Sequence, residues 1–148
     1  ACSMAPHIVL NEAGMSFQKE KVDLRAGTFS GGEYANVNPK GGVPAIELDN
    51  GTLLTEGAVI MQYLADQKPE SNLMPKAGTM ERYQSMEWLN YVATELHKGF
   101  GPLWYPDTPE AYRDQTIAKL KKQFEFISTR IKGHYLMGNI FTAPDGQQ

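Results

Sequence analysis

The fold is decided by residues 38–57, which read N-P-K-G-G-V-P-A-I-E-L-D-N-G-T-L-L-T-E-G. Residues 44–48 predict a strand that begins at Pro44, because proline cannot donate to a sheet ladder and is tolerated at a strand's first residue. Asp49-Asn50-Gly51 predicts a tight turn with positive φ angles at Asn50 and Gly51. Residues 52–54 predict the returning strand, and a helix is expected over residues 57–67.

Two short motifs in this stretch could bind a ligand through the backbone. The Val43-Pro44 bond is a candidate cis peptide, which would turn the N–H and C=O of Val43 outward to pair with an extended peptide. A plain turn is the simpler alternative, because few X–Pro bonds are cis. Thr55-Glu56-Gly57 opens a helix whose N–H groups could bind a carboxylate, with Glu56 pairing with an adjacent α-amino group. Capping by Thr55 and Glu56 explains the same residues without a ligand.

Upstream, the first helix begins at Cys2, the only cysteine of the chain. The apolar pattern runs from Cys2 to a stop signal at Gly14, and Pro6 is tolerated in the first turn. A thiol at a helix N-terminus faces unpaired N–H groups and the positive end of the helix dipole, which favour the thiolate. The position therefore predicts a reactive thiol, with a buried and inert cysteine as the alternative.

The rest of the chain predicts an α/β domain over residues 1–70, a linker over residues 71–78 and an all-helical domain over residues 79–148. The segment 17–23 predicts an edge strand, and the Gly- and Ser-rich segment 25–36 predicts a loop with at most a short helix. Downstream, the pattern predicts helices over residues 79–98 and from Pro109 to Gly133. Thr142 and Asp145 predict a capping box that starts one more helix.

A polar stripe and an aromatic group lie in and after the helix expected over residues 79–98. Asn90, Thr94 and His97 are spaced i, i+4 and i+7, which places them on one face. His97 is a candidate proton shuttle near neutral pH, although a solvated helix face is the more frequent explanation of such a stripe. The aromatic residues that follow predict a wall of an apolar pocket or ordinary core; they are Phe100, Trp104 and Tyr105.

Composition argues against several classes of function. The 14 Lys and Arg against 17 Asp and Glu give a net charge of −3, and no basic run indicates a nucleic-acid surface. No apolar run approaches the roughly 20 residues of a membrane span, and no spacing of His and Cys indicates a metal site. A lone cysteine without a signal peptide favours a reducing cytoplasm. Both ends look cut, which predicts a fragment of a longer protein.

Taken together, the motifs resemble the bacterial beta class of cytosolic glutathione S-transferases. The stretches that carry the resemblance are A-C-S-M-A-P-H-I-V-L, N-P-K-G-G-V-P-A, D-N-G-T-L-L-T-E-G, I-M-Q-Y-L-A-D, E-W-L-N-Y-V-A-T-E-L-H-K-G-F, P-D-T-P-E-A-Y and F-T-A-P-D. It implies a thioredoxin-like N-terminal domain followed by an all-α C-terminal domain, truncated at both ends, in a homodimer. It also implies glutathione as cosubstrate, conjugated through sulfur to hydrophobic electrophiles in detoxification.

By the same resemblance, each site residue has an expected role. Cys2 is the site thiol with Ser3 beside it, and Val43 with cis-Pro44 holds the cysteinyl part of glutathione. Glu56 and Gly57 bind the γ-glutamyl end. Residues expected to reach across from the helical domain are Asn90, Thr94, Glu95 and His97, with His97 close to the sulfur. Residues expected to hold the electrophile are Phe100, Trp104 and Tyr105.

The resemblance is incomplete at one loop, and it leaves two other functions open. The family often has a lysine after its second strand, and residues 25–34 contain none, so Arg25 is the expected substitute. One alternative function is thiol–disulfide exchange, in which Cys2 forms a mixed disulfide with glutathione. The other is a binding module without catalysis, or an incomplete copy that holds ligand weakly or not at all.

Overall fold

The computed structural model describes residues 2–131 and 133–147, so the outer bounds of the two expected domains, residues 1 and 148, lie outside the described residues. Two helices and two small hairpins form the first half of the chain. In order they are α1 (Met4–Glu12), β1 (Thr28–Phe29), β2 (Gly32–Glu33), β3 (Ala45–Glu47), β4 (Leu53–Thr55) and α2 (Gly57–Gln67). Short 3-10 turns cover Tyr34–Asn36 and Pro69–Ser71.

The hairpin of β3 and β4 confirms the strand–turn–strand expectation with shorter strands. The strands are antiparallel, and Ile46 lies opposite Leu54. Only Gly51 of the turn has a positive φ angle, at 79°, so the expected positive φ at Asn50 is wrong. The connection between the strands is longer than two residues, and the Asn50 side chain accepts a hydrogen bond from the Thr52 N–H instead.

The edge strand expected over residues 17–23 is wrong. Residues 15–22 carry no strand assignment, and Asp23 forms only an isolated bridge with Thr28. A strand needs a neighbour for its backbone groups, and no strand of the described residues lies beside this segment. The segment 25–36, expected as a loop, contains the small hairpin of β1 and β2.

The second half of the chain is helical. Its main elements are α3 (Met80–Tyr91), a π-helical turn (Val92–His97), a 3-10 segment (Lys98–Trp104), α4 (Glu110–Arg130) and α5 (Ala143–Gly146). The helix expected over residues 79–98 is present, but it is a regular α-helix only as far as Tyr91, because the backbone widens into the π turn there. The helix expected to close at Gly133 ends earlier, at Arg130.

Local caps set two of these helix starts, as the sequence predicts. The Thr79 hydroxyl accepts a hydrogen bond from the Arg82 N–H at the start of α3. At α5, the Asp145 carboxylate accepts from both the Thr142 N–H (2.9 Å) and the Thr142 hydroxyl (2.8 Å). The same carboxylate also accepts from the Leu136 N–H at 2.8 Å, so this cap ties the preceding loop to α5.

One buried cluster joins the two halves. It is built around α1 and α2 and includes residues of α3 and α5; its members are Ala5, Val9, Ile60, Met61, Leu64, Ala65, Leu73, Met74, Leu89 and Ala143. A second cluster, of Val92, Leu96, Ile127 and Leu136, holds the π turn against α4. The shared core places the start of α1 and the start of α2 on a common support.

Candidate functional site

The Cys2 thiol lies against the loop that precedes β3, and α1 begins at Met4 rather than at Cys2, where the sequence predicts its start. Cys2 is half-buried just before α1, and its Sγ donates a hydrogen bond to the Val43 carbonyl oxygen at 3.1 Å. The Val43-Pro44 peptide bond is cis. Ser3 is exposed at the start of α1, and its side chain makes no capping hydrogen bond. The sulfur is therefore next to an irregular backbone segment in which main-chain groups can meet a ligand.

Two buried side chains hold the peptide group that carries the Val43 N–H. The Tyr34 hydroxyl and the Asn38 Nδ2 both donate to the Gly42 carbonyl oxygen, each at 2.8 Å. In a trans peptide the N–H points opposite to the C=O, so these bonds aim the Val43 N–H away from Tyr34 and Asn38. Within the described part of the chain, that N–H donates to no protein acceptor. The loop therefore offers one unused donor close to the thiol.

Glu56 occupies the position before the first residue of α2 and has an unusual backbone. Its φ angle of 70° lies in the left-handed region, where a side chain other than glycine is strained. The expected capping by Thr55 is wrong, because Thr55 is the last residue of β4 and α2 begins without a side-chain cap. Gly57 and Ala58 of α2 have N–H groups with no acceptor among the described residues. The helix start therefore keeps unused donors beside a carboxylate.

Lys40 pairs with this carboxylate. Its Nζ lies 2.9 Å from Glu56 Oε1 and 2.9 Å from Thr55 Oγ1, and both Lys40 and Glu56 are largely exposed. The hydrogen bond and the positive charge of Lys40 lower the pKa of Glu56 below its ordinary value, and the charge of Lys98 lowers it slightly further. Lys98 belongs to the 3-10 segment, so the helical half reaches this part of the site electrostatically.

The polar residues of the helical half are exposed but make no direct bond to the thiol. Thr94 Oγ1 donates to the Asn90 carbonyl oxygen at 3.0 Å, and Asn90, Thr94 and His97 are all exposed. The π turn changes their spacing, so they do not form the regular α-helical stripe that the sequence predicts. No hydrogen bond between described residues joins Cys2 to these side chains or to Glu95.

Glu95 is tied to α4 through one of its two oxygens. Its Oε2 accepts a hydrogen bond from Gln123 Nε2 at 3.1 Å and lies 3.2 Å from the Lys119 Nζ. In the described part of the structure, Oε1 has no hydrogen-bond donor. Helix α4 therefore fixes the side chain and leaves one carboxylate oxygen unused.

The three aromatic residues expected to hold an apolar substrate do not form an enclosed pocket. Phe100 packs edge-on against Phe124, with ring centroids 6.3 Å apart. Trp104 and Tyr105 are 75% and 68% exposed. Elsewhere in the described part of the chain, a cavity of about 780 Å³ lies between the 66–77 segment and residues 137–142, and another of about 500 Å³ lies beside Trp88 and Phe126.

Comparison with known proteins places this geometry in a family. Residues 1–67 match the family described as Glutathione S-transferase, N-terminal domain. Over 147 residues, the chain is 50% identical to glutathione S-transferase GstA of Escherichia coli O157:H7, covering 98% of this chain and 73% of that protein. The chain belongs to the glutathione S-transferase family. The expected fold class, a thioredoxin-like N-terminal domain and a helical C-terminal domain, is confirmed.

Two solved structures refine the family assignment. A sphingomonad glutathione S-transferase complexed with glutathione is 39% identical with a TM-score of 0.92, covering 99% of this chain and 74% of that one. A bacterial beta class glutathione S-transferase of Sphingomonas chungbukensis is 37% identical with a TM-score of 0.91 and the same coverage. The resemblance to the beta class is thereby confirmed. The chain is a glutathione transferase by family, and glutathione is the cosubstrate of this family.

No helix of the described residues is long and apolar enough to cross a membrane. The residues that the structure describes also contain no cluster of three or more His, Cys, Asp or Glu side chains that could hold a metal ion.

Four residues near the glutathione transferase site were not assigned roles from the sequence. Lys40 and Asn38 belong to the 38–44 motif, and Tyr34 lies just before it, while Lys98 follows His97 directly. Arg25 is the expected substitute for the family lysine, whereas the structure pairs a different cation, Lys40, with Glu56. The sequence signal for Lys40 is its place within the 38–44 motif.

Proposed function

We propose that this chain conjugates glutathione through its sulfur to hydrophobic electrophiles, with the cysteinyl part of glutathione seated on Val43. The observation that carries the proposal is the unused Val43 N–H beside a carbonyl that holds the Cys2 sulfur 3.1 Å away. An extended peptide laid against this segment would pair with both main-chain groups of Val43, as an added strand does. The sphingomonad relative in complex with glutathione supports this choice of ligand.

The start of α2 suits the γ-glutamyl end of glutathione. Its α-carboxylate would accept from the N–H groups of Gly57 and Ala58, because helix N-termini attract anions. Its α-ammonium would pair with the carboxylate of Glu56, which already accepts a lysine ammonium. Pro44 packs against the start of α2, because a Cβ added to Gly57 would lie 3.5 Å from the Pro44 Cγ. The residues present therefore fit the ligand at both ends of this segment.

The chemistry needs a sulfur anion near an apolar electrophile. Glutathione supplies the attacking sulfur, which forms a thioether bond as the leaving group departs. We assign Cys2 and His97 as catalytic residues. The N–H of Val43 and the imidazole of His97 would favour loss of the proton from the glutathione thiol. Ser3 contributes a hydroxyl beside Cys2. The apolar substrate would rest on the exposed aromatic side chains of Phe100, Trp104 and Tyr105.

The helical half is proposed to complete the glutathione site. Asn90, Thr94 and His97 have exposed polar groups, and Glu95 keeps Oε1 unused while α4 holds Oε2. In the homodimer that we propose, some of these contacts would serve the site of the partner. We also propose the domain limits 1–70 and 79–148 with a linker at 71–78, and a cytoplasmic location that keeps Cys2 reduced.

Thiol–disulfide exchange is the second candidate, and the placement of Cys2 favours it. The Cys2 sulfur lies at the carbonyl of Val43, where the cysteinyl part of glutathione is also proposed to bind. After losing its proton to water, Cys2 could attack a glutathionylated partner, so that a new S–S bond forms at Cys2 and the partner thiolate leaves. This reaction uses the same loop and a different attacking sulfur.

Calorimetric titration and two activity assays test the proposal on the intact chain. Glutathione should bind with measurable heat, and an activated aryl chloride should be conjugated faster than in buffer. A glutathione mixed disulfide measures the exchange reaction in parallel. Absence of both binding and conjugation would overturn the proposed function and favour an incomplete copy that holds no ligand. Exchange without conjugation would replace it by the second candidate.

A further inference from the structure

Lys40 already occupies the acceptor pair at which the proposed function seats an ammonium group. Its Nζ donates to Glu56 Oε1 and to Thr55 Oγ1, each at 2.9 Å. A lysine ammonium and an α-ammonium carry the same charge and three N–H donors each. The internal lysine therefore marks these two oxygens as an ammonium site and blocks that site at the same time.

The contact is poorly suited to hold the loop in place. The side chains of Lys40 and Glu56 are 62% and 66% exposed, and exposed ion pairs contribute little to stability. The loop has firmer attachments, because buried Asn38 donates to the Gly42 carbonyl and accepts from the Lys40 N–H at 3.1 Å. Lys40 can thus leave Glu56 without releasing the backbone around it.

Glu56 itself is held in a special conformation. Its φ angle of 70° is one of two left-handed values at described residues other than glycine. Outliers of this kind persist where the surroundings impose them, and they cluster at ligand clamps. A strained backbone that directs a carboxylate to solvent gains nothing from a weak surface pair. The geometry is better explained by a ligand that Glu56 receives in exchange for Lys40.

We infer that Lys40 is a built-in competitor for this site, so that a ligand has to displace it from Glu56 and Thr55 with an ammonium group of its own. The inference rests on the proposed glutathione site. A ligand with an α-amino group replaces the Lys40 contact by an equivalent one and releases the lysine to water. A ligand without that group leaves Lys40 in place and gains no pairing with Glu56. Lys40 thereby weakens the binding of ligands that carry an ammonium group and narrows the difference in affinity between ligands with and without one.

The test compares two ligands on four proteins by calorimetric titration. The ligands are glutathione and its deaminated analogue, in which hydrogen replaces the α-amino group. The proteins are the wild type, Lys40→Met, Lys40→Arg and Lys121→Met. Lys121 is an exposed lysine of α4 with no salt bridge among the described residues, so its replacement controls for the loss of one positive charge. Thermal unfolding of each variant confirms that the fold is kept.

Lys40→Met should lower the Kd of glutathione by about two- to fivefold, the range expected for removal of a competing exposed ion pair. The same variant should not improve binding of the deaminated analogue. Loss of a positive charge near an anionic ligand would by itself weaken binding. Tighter binding of glutathione therefore cannot result from the change in net charge. Lys40→Arg should stay within about twofold of the wild type, and Lys121→Met should not tighten either ligand.

Three results would overturn the inference. An unchanged or raised Kd of glutathione in Lys40→Met would show that Lys40 does not compete. Equal tightening of both ligands would show that the gain does not pass through the ammonium site. Failure of the wild type to bind glutathione would overturn the proposed function and the inference together, whereas the first two results leave the proposed function intact.

Discussion

Residues 38–44 and residues 90–105 supply the two sides of the proposed site, and the protein holds them in different ways. Residues 38–44 are fixed by buried Tyr34 and Asn38 and by the thiol of Cys2, so their backbone groups are set before any ligand arrives. Residues 90–105 form a π turn and a 3-10 segment whose polar side chains are mostly exposed. Preorganised backbone donors give affinity, whereas exposed side chains must be ordered on binding and lose entropy.

We therefore expect the two sides to affect different steps of the reaction. The 38–44 side is expected to decide whether glutathione binds and in which register. The 90–105 side is expected to act on the rate and on the second substrate. Variants in which the Kd and the reaction rate are measured separately test whether the two sides have these different roles.

The largest effect is expected at the sulfur of the first side. Cys2→Ala should abolish thiol–disulfide exchange, because the 148 residues contain no other thiol. Conjugation should be reduced and still measurable, since its attacking sulfur belongs to glutathione. Both rates are measured on one preparation, with a glutathione mixed disulfide and an activated aryl chloride. Exchange that survives in Cys2→Ala would rule out the second candidate function.

The next effect is expected on the second side. His97→Ala should lower kcat for conjugation by about 10²-fold, the lower range for loss of a general acid or base. Because His97 is exposed, the free energy of unfolding of the His97→Ala protein should differ from that of the wild type by less than about 0.5 kcal/mol. His134→Ala, at another exposed histidine, is the matched control and should leave kcat unchanged. Equal losses of rate and stability in His97→Ala would make His97 a structural residue.

A smaller effect is expected when one support of the first side is removed. Tyr34→Phe deletes the hydroxyl that donates to the Gly42 carbonyl, which costs about 0.5–1.5 kcal/mol. If the loosened peptide also misdirects the Val43 N–H, the Kd of glutathione should rise by about two- to tenfold, with kcat nearly unchanged. Tyr63→Phe is the control, because the Tyr63 hydroxyl has no partner among the described residues. A kcat loss in Tyr34→Phe at constant Kd would contradict the different roles of the two sides.

The two sides also differ in how far the sequence predicts them. The cis bond before Pro44 and the open helix start at Gly57 lie in local motifs, where the sequence offers them as candidates beside a plain turn and a capped helix. The approach of Cys2 to Val43 joins residues 41 positions apart, and only the resemblance to the family indicates it. The turn at residues 92–97 depends on how Val92 and Leu96 pack against α4, which residue spacing does not reveal. A periodic pattern predicts a regular helix and therefore misplaces the side chains beyond Tyr91.

Long-range pairing explains the other errors. Lys40 reaches Glu56 because the hairpin of β3 and β4 folds the chain back by 16 residues, and neither residue alone indicates the other. The extended segment 17–23 has suitable residues for a strand, yet a strand forms only beside a partner. Trp104 and Tyr105 have the composition of a pocket wall, but their exposure depends on which elements cover them.

The smallest expected effect concerns the ion pair that joins the halves behind the site. Arg82 of α3 is buried and donates to both carboxylate oxygens of Asp66 on α2, at 2.7 and 2.8 Å. These hydrogen bonds lower the pKa of Asp66 below its ordinary value of 3.8. A depressed pKa stabilises the fold fully above about pH 4, and the contribution is lost as the pH falls through the folded-state value.

Asp66→Asn tests this pair and its place in the comparison. At pH 7 the variant should lose about 1 kcal/mol of unfolding free energy, a small value because Asp66 is half-exposed to water. Denaturant unfolding of the two proteins should begin to converge as the pH falls below 3.8 and should coincide once it is below the lower pKa of the folded state, where the wild-type carboxylate is protonated too. The Kd of glutathione should not change, because the pair lies at the far end of α2 from Glu56. A raised Kd without convergence at low pH would show that the contact between the halves, rather than the 38–44 loop, sets the geometry of glutathione binding.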